Sequence, residues 1–287
     1  MMLDATALHR IEFDPGIPTN VEEQILLDQV AVNIRRQLPQ VTPHELNHYT
    51  VALVCGGPSL NQTEGELVEA IWNGAKLVCV NGSYDWCIDH NLKPSAAVLL
   101  DGREFNARFI ERAVPGCKYL LASQCHPRTF EICAGREVLI WHCVNTQAEA
   151  DLISDYYFEQ TLQISLGTTV GVRAISVLRT LGYQRFDIFG MDSCWLDGVG
   201  HAYAQQENND DAVFDIWLRP QDGDHHRDDL AQHFLCSPWH AKQAEDIQNL
   251  IRERGDTFEL NVRGPGLIAA MIRAGAQITI EKSLKEK

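Results

Sequence analysis

Two glycines, a proline and a serine stand in a row at Gly56-Gly57-Pro58-Ser59, directly behind the apolar run 50–55. A bend of this kind has no Cβ between backbone and ligand, so its N–H groups can face phosphate oxygens. Pro58 restricts φ in the turn, and Ser59 adds a hydroxyl. The same string also reads as an ordinary strand-to-helix turn, since Gly and Pro are common there. Asn81-Gly82-Ser83, Asp101-Gly102-Arg103, Ser123-Gln124-Cys125-His126 and Asp192-Ser193 each follow a short apolar run as well. Asp101 and Asp192 could hold Mg²⁺ against ligand phosphates, or one could act as a general base. Either is equally a strand-end turn residue, and Asp101-Gly102-Arg103 is suited to pairing its charges locally. Gly167-Thr168-Thr169 opens an amphipathic segment, where a glycine and two hydroxyls can receive an anion. The alternative there is N-capping by Thr168, with Arg173 adding charge or facing solvent.

The elements that must carry these residues alternate. Strands are expected at 50–55, 76–80, 96–100, 118–122, 137–141, 185–189 and 257–262. Helices are expected at 64–73, 83–89, 104–112, 168–181, 238–254 and 267–273. Thr63 to Glu66 spells a capping box, and Gly74 and Gly182 close their helices. This alternation predicts an α/β, Rossmann-like fold: a mainly parallel sheet with helices on both faces. In such sheets ligands bind beyond the carboxyl ends of the strands. One rim is therefore expected to gather the double-glycine bend, Asn81, Asp101 and Asp192.

Residues 20–38 read as a further helix, capped by Asn20, with Glu22 and Glu23 at its start and Arg35 and Arg36 at its end. Ile25, Leu26, Gln29, Val32 and Asn33 trace one side of it. It precedes any strand, so residues 1–45 are expected to form an N-terminal helical extension and 46–280 the main domain. Residues 193–233 lack clear periodicity and read as a long loop of the lid or binding kind. That loop holds His201, Tyr203, Gln205, Asn208, His225 and His226. The two adjacent histidines, beside Asp222, Asp224, Asp228 and Asp229, suggest either a metal site or a solvated acidic loop; the spacing matches no structural zinc pattern. The tail after Glu281 is expected to be disordered.

Composition narrows the partners. The net charge is −15 with no Lys/Arg cluster, which disfavours nucleic acid. No apolar run approaches the roughly 20 residues needed to span a bilayer, and residues 1–18 lack the pattern of a secretory signal, so no membrane partner and a cytoplasmic location are expected. The nine cysteines fall singly, which argues for buried free thiols.

Several of these strings together resemble the 6-hydroxymethylpterin diphosphokinase MptE-like family. They are Cys55-Gly-Gly-Pro-Ser-Leu60, Val80-Asn-Gly-Ser-Tyr-Asp-Trp86, Pro94, Leu99-Leu-Asp101, Phe189-Gly-Met-Asp192 and Gly200-His201-Ala202. Residues 240–275 look like a continuation seen in phage and bacterial members. The resemblance implies a Rossmann-like fold and a nucleotide-dependent transferase, in which founding enzymes move diphosphate from ATP to a pterin alcohol with Mg²⁺. Flagellin-modifying relatives are thought to use CMP-linked sugars, and CMP-sialyltransferases share a similar Gly-Pro-Ser turn and following Asn. This chain has Pro94-Ser95 and a lone Asp101 where diphosphokinase members tend to carry Pro-Asp and a paired Asp-x-Asp.

The resulting expectation is a nucleotide-dependent group transferase. Gly56, Gly57, Pro58 and Ser59 hold donor phosphates, and Asn81 and Gly82 lie near the ribose or base. Gln124, Gly167, Thr168 and Thr169 complete the binding set, Asp101 takes Mg²⁺ or orients the acceptor, and Asp192 and His201 do acid–base work. A CMP-sugar glycosyltransferase, which least needs a metal at Asp101, stays open, as does a nucleotide- or sugar-binding phage accessory without turnover. An NAD dehydrogenase is excluded because the turn lacks Gly-x-Gly-x-x-Gly and the second strand ends in Asn81 rather than an acid.

Overall fold

The structure is a computed structural model that describes residues 21–158, 161–205, 213–222, 225–226, 228–255, 257–274 and 278–284. In chain order the elements are α1 (Glu23–Ile34), β1 (Thr50–Val54), a 3-10 turn (Pro58–Asn61), α2 (Glu64–Trp72), β2 (Lys76–Val80), α3 (Ser83–Asp89) and β3 (Ala96–Leu99). There follow a 3-10 segment (Glu104–Ile110), β4 (Lys118–Ala122), α4 (Pro127–Ile132), β5 (Glu137–Cys143), α5 (Gln147–Tyr157), β6 (Gln163–Ile164), α6 (Val170–Thr180) and β7 (Arg185–Phe189). The last part holds β8 (Phe214–Asp222), β9 (His225–His226), a 3-10 turn (Asp228–Leu230), β10 (Gln232–Cys236), α7 (Pro238–Arg254), β11 (Glu259–Val262), α8 (Leu267–Ala274) and β12 (Ile278–Leu284). This is the α/β, Rossmann-like architecture expected, with a mainly parallel sheet and helices around it.

The chain divides into two compact units. One, here the six-strand unit, comprises Pro18–Leu53 and Ala75–Tyr183. Its strands lie in sequential order β1-β2-β3-β4-β5-β6, with parallel pairing from β2 through β6. Their residues are apolar without alternation because both faces are covered; Val51, Ala52, Leu53, Cys79, Ala97, Val98, Leu121 and Ile140 are all fully buried. Tyr84 and Tyr119 meet hydroxyl to hydroxyl at 2.7 Å inside this core.

Helix α1 is integral to the same unit, packed on α4 and α5. Its buried residues are Leu26, Gln29, Val30, Asn33 and Ile34, whereas Ile25 and Val32 are exposed. The inward stripe is therefore rotated from the expected one: Val30 and Ile34 take the place of Ile25 and Val32, while Leu26, Gln29 and Asn33 stay inward, the last two as hydrogen-bond donors. The Asn33 amide reaches the carbonyls of Ser123 (3.0 Å) and Cys125 (2.7 Å), and Gln29 reaches that of Gly102 (2.9 Å). Arg35 stands at the C-cap, and Asn20 lies outside the described residues.

The other unit, the turn unit, comprises Val54–Gly74 and Gln184–Lys287 with Met1–Ile17. Here β7 and β11 pair in parallel, while β10, β8 and β12 form an antiparallel sheet with β9 folded against β8. Three expectations fail in this unit. The segment 193–233 is not structureless, since β8 runs through it, and the chain beyond Glu281 continues in β12 as far as Leu284. Alternation in β8 is legible afterwards: Ile216 and Leu218 are buried between partly exposed Asp215, Trp217 and Arg219. Pro220 and the surrounding charges mask that pattern in sequence. The capping box at Thr63 is also absent, because the Thr63 hydroxyl donates back to the Ser59 carbonyl at 3.0 Å.

All nine cysteines are free and buried, as their spacing suggested. Asn33→Leu leaves two buried carbonyls without their donor and should cost about 2–6 kcal/mol of stability, at roughly 1–3 kcal/mol for each orphaned group. Urea unfolding of the variant checks this; a loss below about 0.5 kcal/mol would show that α1 is not anchored through Asn33.

Candidate functional site

In the turn unit the bend after β1 is pressed against the end of β7. Cys55 donates to the Phe189 carbonyl (2.8 Å), and Gly57 donates to that of Gly190 (2.7 Å). Gly57 has φ −71° and ψ 158°, a conformation open to any residue, so it is glycine for space and not for angle. A Cβ there would fall 2.6 Å from the Gly190 carbonyl oxygen and against the Asp192 carboxylate. Gly190, at φ +67°, backs onto Cys55 and Gly57 in turn. The Ser59 amide donates to Asp192 Oδ2 at 2.9 Å. The two amides expected to face a donor phosphate are thus engaged inside the chain. The Gly56 amide, on a partly exposed residue, has no acceptor among the described residues.

Asp192 is 3% exposed, and its Oδ1 has no hydrogen-bond partner among the described residues. Burial raises its carboxyl above the ordinary range, while the Ser59 amide and hydroxyl beside it pull the other way. A third turn, Gly264-Pro265-Gly266 after β11, closes on the same residues. A Cβ on Gly266 would lie 2.6 Å from Asp192 Oδ1, and one on Gly264 would lie 2.6 Å from Ser59 Oγ. Arg263, just before this turn, pairs with Glu66 and Asp187, each at 3.2 Å. Sequence reading missed this turn, although its Gly-Pro-Gly after an apolar strand repeats the signal of the first bend.

Above the bend lies the segment from His201 to Tyr203. The Ala202 amide donates to the Gly56 carbonyl (2.9 Å), and the Asn61 side chain donates to the Ala202 carbonyl (3.1 Å). A Cβ on Gly56 would sit 2.6 Å from the Tyr203 hydroxyl and 3.4 Å from His201 Cδ2. Behind His201 is His240, whose Nδ1 accepts from the Ser237 amide in a capping box at the start of α7. Burial, with His201 adding a smaller effect, lowers His240 to about 4, so it stays neutral at physiological pH. Gly56, Gly57, Pro58, Ser59, Asp192 and His201 therefore come together in this unit. Gln205 is described next to this segment, Asn208 and Asp224 lie outside the described residues, and His225 with His226 pairs as a short strand against β8.

The six-strand unit gathers the remaining candidates along the carboxyl ends of its strands. The Leu100 amide donates to Asn81 Oδ1 at 3.4 Å, where Asn81 holds φ +44°. Gln124 Nε2 donates to the Leu100 carbonyl (3.2 Å), and Asn145 Nδ2 donates to Gln124 Oε1 (3.2 Å). Arg173 Nη2 donates to Asn145 Oδ1 (2.6 Å), and Arg173 Nε to the Gly167 carbonyl. This rail links the ends of β2, β3, β4 and β5 to the turn before α6. Arg173 is buried rather than solvated, at 4% exposure. Asn145 was missed because β5 runs two residues past Trp141, its expected end. Gly82 sits at the N-cap of α3. Thr169, not Thr168, is the N-cap of α6, and its side chain makes no capping hydrogen bond.

Asp101 lies beside the rail with its charge neutralised. Arg103 binds both carboxylate oxygens, through Nε at 3.0 Å and Nη2 at 2.6 Å, and the Arg103 amide adds a bond at 2.9 Å. Asp101 would have to leave a bidentate guanidinium to take Mg²⁺, so the residue as placed does not fit a metal-binding role. No cluster of three or more His, Cys, Asp or Glu able to hold a metal occurs among the described residues. No helix among them is long and apolar enough to cross a membrane.

Comparison with known proteins adds two findings. The family model for 6-hydroxymethylpterin diphosphokinase MptE-like proteins matches residues 26–198. The fold is similar to that of the MAf glycosyltransferase from Magnetospirillum magneticum AMB-1, with a TM-score of 0.62 and 15% identity over 93% of this chain and 43% of that one. The chain thus spans less than half the length of that glycosyltransferase, and at this identity the likeness shows the fold. No curated protein matches the sequence.

The raised carboxyl of Asp192 has a pH signature. A carboxyl raised on folding binds more protons folded than unfolded, so its contribution to stability falls as pH rises from its ordinary value of 3.8 through the raised folded value. The difference in stability between wild type and Asp192→Asn should therefore shift against wild type across that interval and then level off. Urea unfolding of both proteins at a series of pH values checks it; a pH-independent difference would show that the carboxyl is not raised.

Proposed function

The chain belongs to the 6-hydroxymethylpterin diphosphokinase MptE-like family, and from that premise we propose that it transfers a group from a nucleotide-linked donor whose phosphates lie at the Gly56-Gly57-Pro58-Ser59 bend. The observation that carries this reading is the face of Gly56. It offers a partly exposed backbone amide with no acceptor among the described residues, and a Cβ on Gly56 would lie 3.4 Å from His201 Cδ2. A preorganised amide is the kind of donor that holds phosphate charge without a cationic surface. His201 is the acid–base group of this reading. It takes the proton of the acceptor hydroxyl as that oxygen attacks and the bond to the nucleotide's phosphate breaks. Asp192, buried and committed to Ser59, positions the bend and does not touch substrate.

Two donors fit this outline, and Asp101 favours one of them. Diphosphate transfer from ATP relies on Mg²⁺ to neutralise charge. Sugar transfer from a CMP-linked donor does not need a metal at Asp101, which accords with its pairing to Arg103. Titration calorimetry with ATP, CTP, CMP and GTP, with and without Mg²⁺, followed by product analysis, tests both. We expect binding tighter than about millimolar and, with acceptor present, release of CMP in EDTA for sugar transfer or Mg²⁺-dependent release of AMP for diphosphate transfer. His201→Gln should lower kcat by about 10²–10⁴-fold with little change in nucleotide affinity. Binding without product over long incubation would assign the chain to non-catalytic nucleotide binding, and no binding at all would end the proposal.

A further inference from the structure

We propose that the six-strand unit carries a second ligand site, a pocket at the amino end of β5 that takes a small organic anion with an apolar body. The pocket has a volume of about 580 Å³, a size that accepts a small molecule, and the residues lining it all belong to this unit. Arg36 and Arg136 stand on its wall, and Leu38, Phe130 and Val138 supply apolar surface.

Both guanidiniums are positioned by neutral groups. Arg36 donates from Nε to Asn33 Oδ1 at 3.0 Å and from Nη2 to the Pro127 carbonyl at 3.5 Å, and its Cζ lies 5.2 Å from the centroid of the Phe130 ring. Arg136 donates from Nη1 to the Ile110 carbonyl at 2.5 Å and from Nη2 to the Glu111 carbonyl at 2.9 Å, with its Cζ 5.1 Å from the Tyr119 centroid. A guanidinium has five N–H groups, more than these contacts use. Neither arginine pairs with a carboxylate among the described residues, and the acids beside them are engaged elsewhere. Glu137, also on the wall, pairs with Lys118 at 2.9 Å, and Glu131 pairs with Arg128 at 3.3 Å. A chain of net charge −15 thus keeps two ordered positive charges around one pocket.

That combination selects the ligand class. A carboxylate, sulfonate or phosphate gains charge-assisted hydrogen bonds from the guanidiniums, and an apolar body covers Leu38, Phe130 and Val138. A bare inorganic anion leaves the apolar wall wet, and an uncharged apolar molecule gains nothing from the arginines. Glu137 and Val138 open β5, whose seven residues span about 20 Å, so the pocket lies at the far end of that strand from Asn145 and the rail.

Titration of the intact chain with anilinonaphthalene sulfonate, an aromatic sulfonate whose fluorescence rises in apolar surroundings, tests the site. One saturable site with an affinity of about 1–100 μM is expected. Decanoate should displace the dye at least about tenfold better than decanol, and binding should weaken as salt rises from about 0.1 M to about 1 M. Arg36→Gln should weaken the dye about three- to tenfold, and Arg36→Lys should keep most of the affinity. Leu38→Asp, which sets a negative charge on the wall and leaves both arginines in place, should weaken it at least as much. The melting temperatures of these variants without ligand confirm that each is folded. Equal displacement by decanoate and decanol, unchanged affinity in both Arg36→Gln and Leu38→Asp, or no saturable binding would each overturn the site. Competitive displacement of the dye by CMP or ATP would also overturn it, by placing the dye at the Gly56 bend.

Discussion

A single carboxylate sets the geometry of the turn unit. Asp192 is buried at the end of β7 and accepts the Ser59 amide, while its second oxygen has no partner among the described residues. A carboxylate in that position is costly unless the backbone closes around it tightly enough to supply donors and exclude rearrangement. Gly57 and Gly266 are small because Asp192 occupies the volume their side chains would fill, and Gly264 is small because Ser59 does. Within the turn unit, the bend from Gly57 to Ser59 and the turns after β7 and β11 are thereby locked together. The bend after β1 owes its shape to this contact rather than to its own torsional preferences.

That arrangement leaves the bend with two chemically different faces. The inner face, from Gly57 to Ser59, is consumed by the chain itself. The outer face, at Gly56, meets His201 and Tyr203, and its amide has no acceptor among the described residues. A chain of net charge −15 can accept an anion there only through local donors, since its far field is repulsive. Association with a charged donor is accordingly expected to be governed by short-range hydrogen bonding and not by electrostatic steering.

Much of the fold was legible because its strands are short, apolar and closed by glycine or asparagine. β2, α3, β4, β7 and α7 fall where periodicity and punctuation place them. α4 and α5 were not anticipated: α5 carries polar residues over most of its surface and buries only Glu149 and Ile153. β8 was hidden by a proline and flanking charges, since a strand with one exposed face looks like a loop when its polar side is crowded. The rule that parallel strands present their carboxyl ends on one side pointed to Gly56, Gly57, Ser59 and Asp192, which meet within the turn unit, and to Asn81 and Gln124, which lie along strand ends of the six-strand unit. The rule does not say whether an amide is already engaged, nor that Asp101 is held by Arg103, because both depend on side-chain rotamers and on partners distant in sequence. It also passed over Gly264-Pro265-Gly266, which only tertiary packing brings onto Asp192.

The rail across the six-strand unit has an electrical polarity. Arg173 donates to Asn145, Asn145 to Gln124 and Gln124 to the Leu100 carbonyl, so each carboxamide turns its oxygen toward the guanidinium and its NH₂ away. Aligned dipoles of this kind reinforce one another in a poorly screened interior. The Asn145 amide also donates to the buried Glu149 carboxylate at 3.1 Å, so its oxygen faces a cation while its NH₂ faces an anion. Rotating any one amide by half a turn would oppose its neighbours, and the row is for that reason confined to a single orientation.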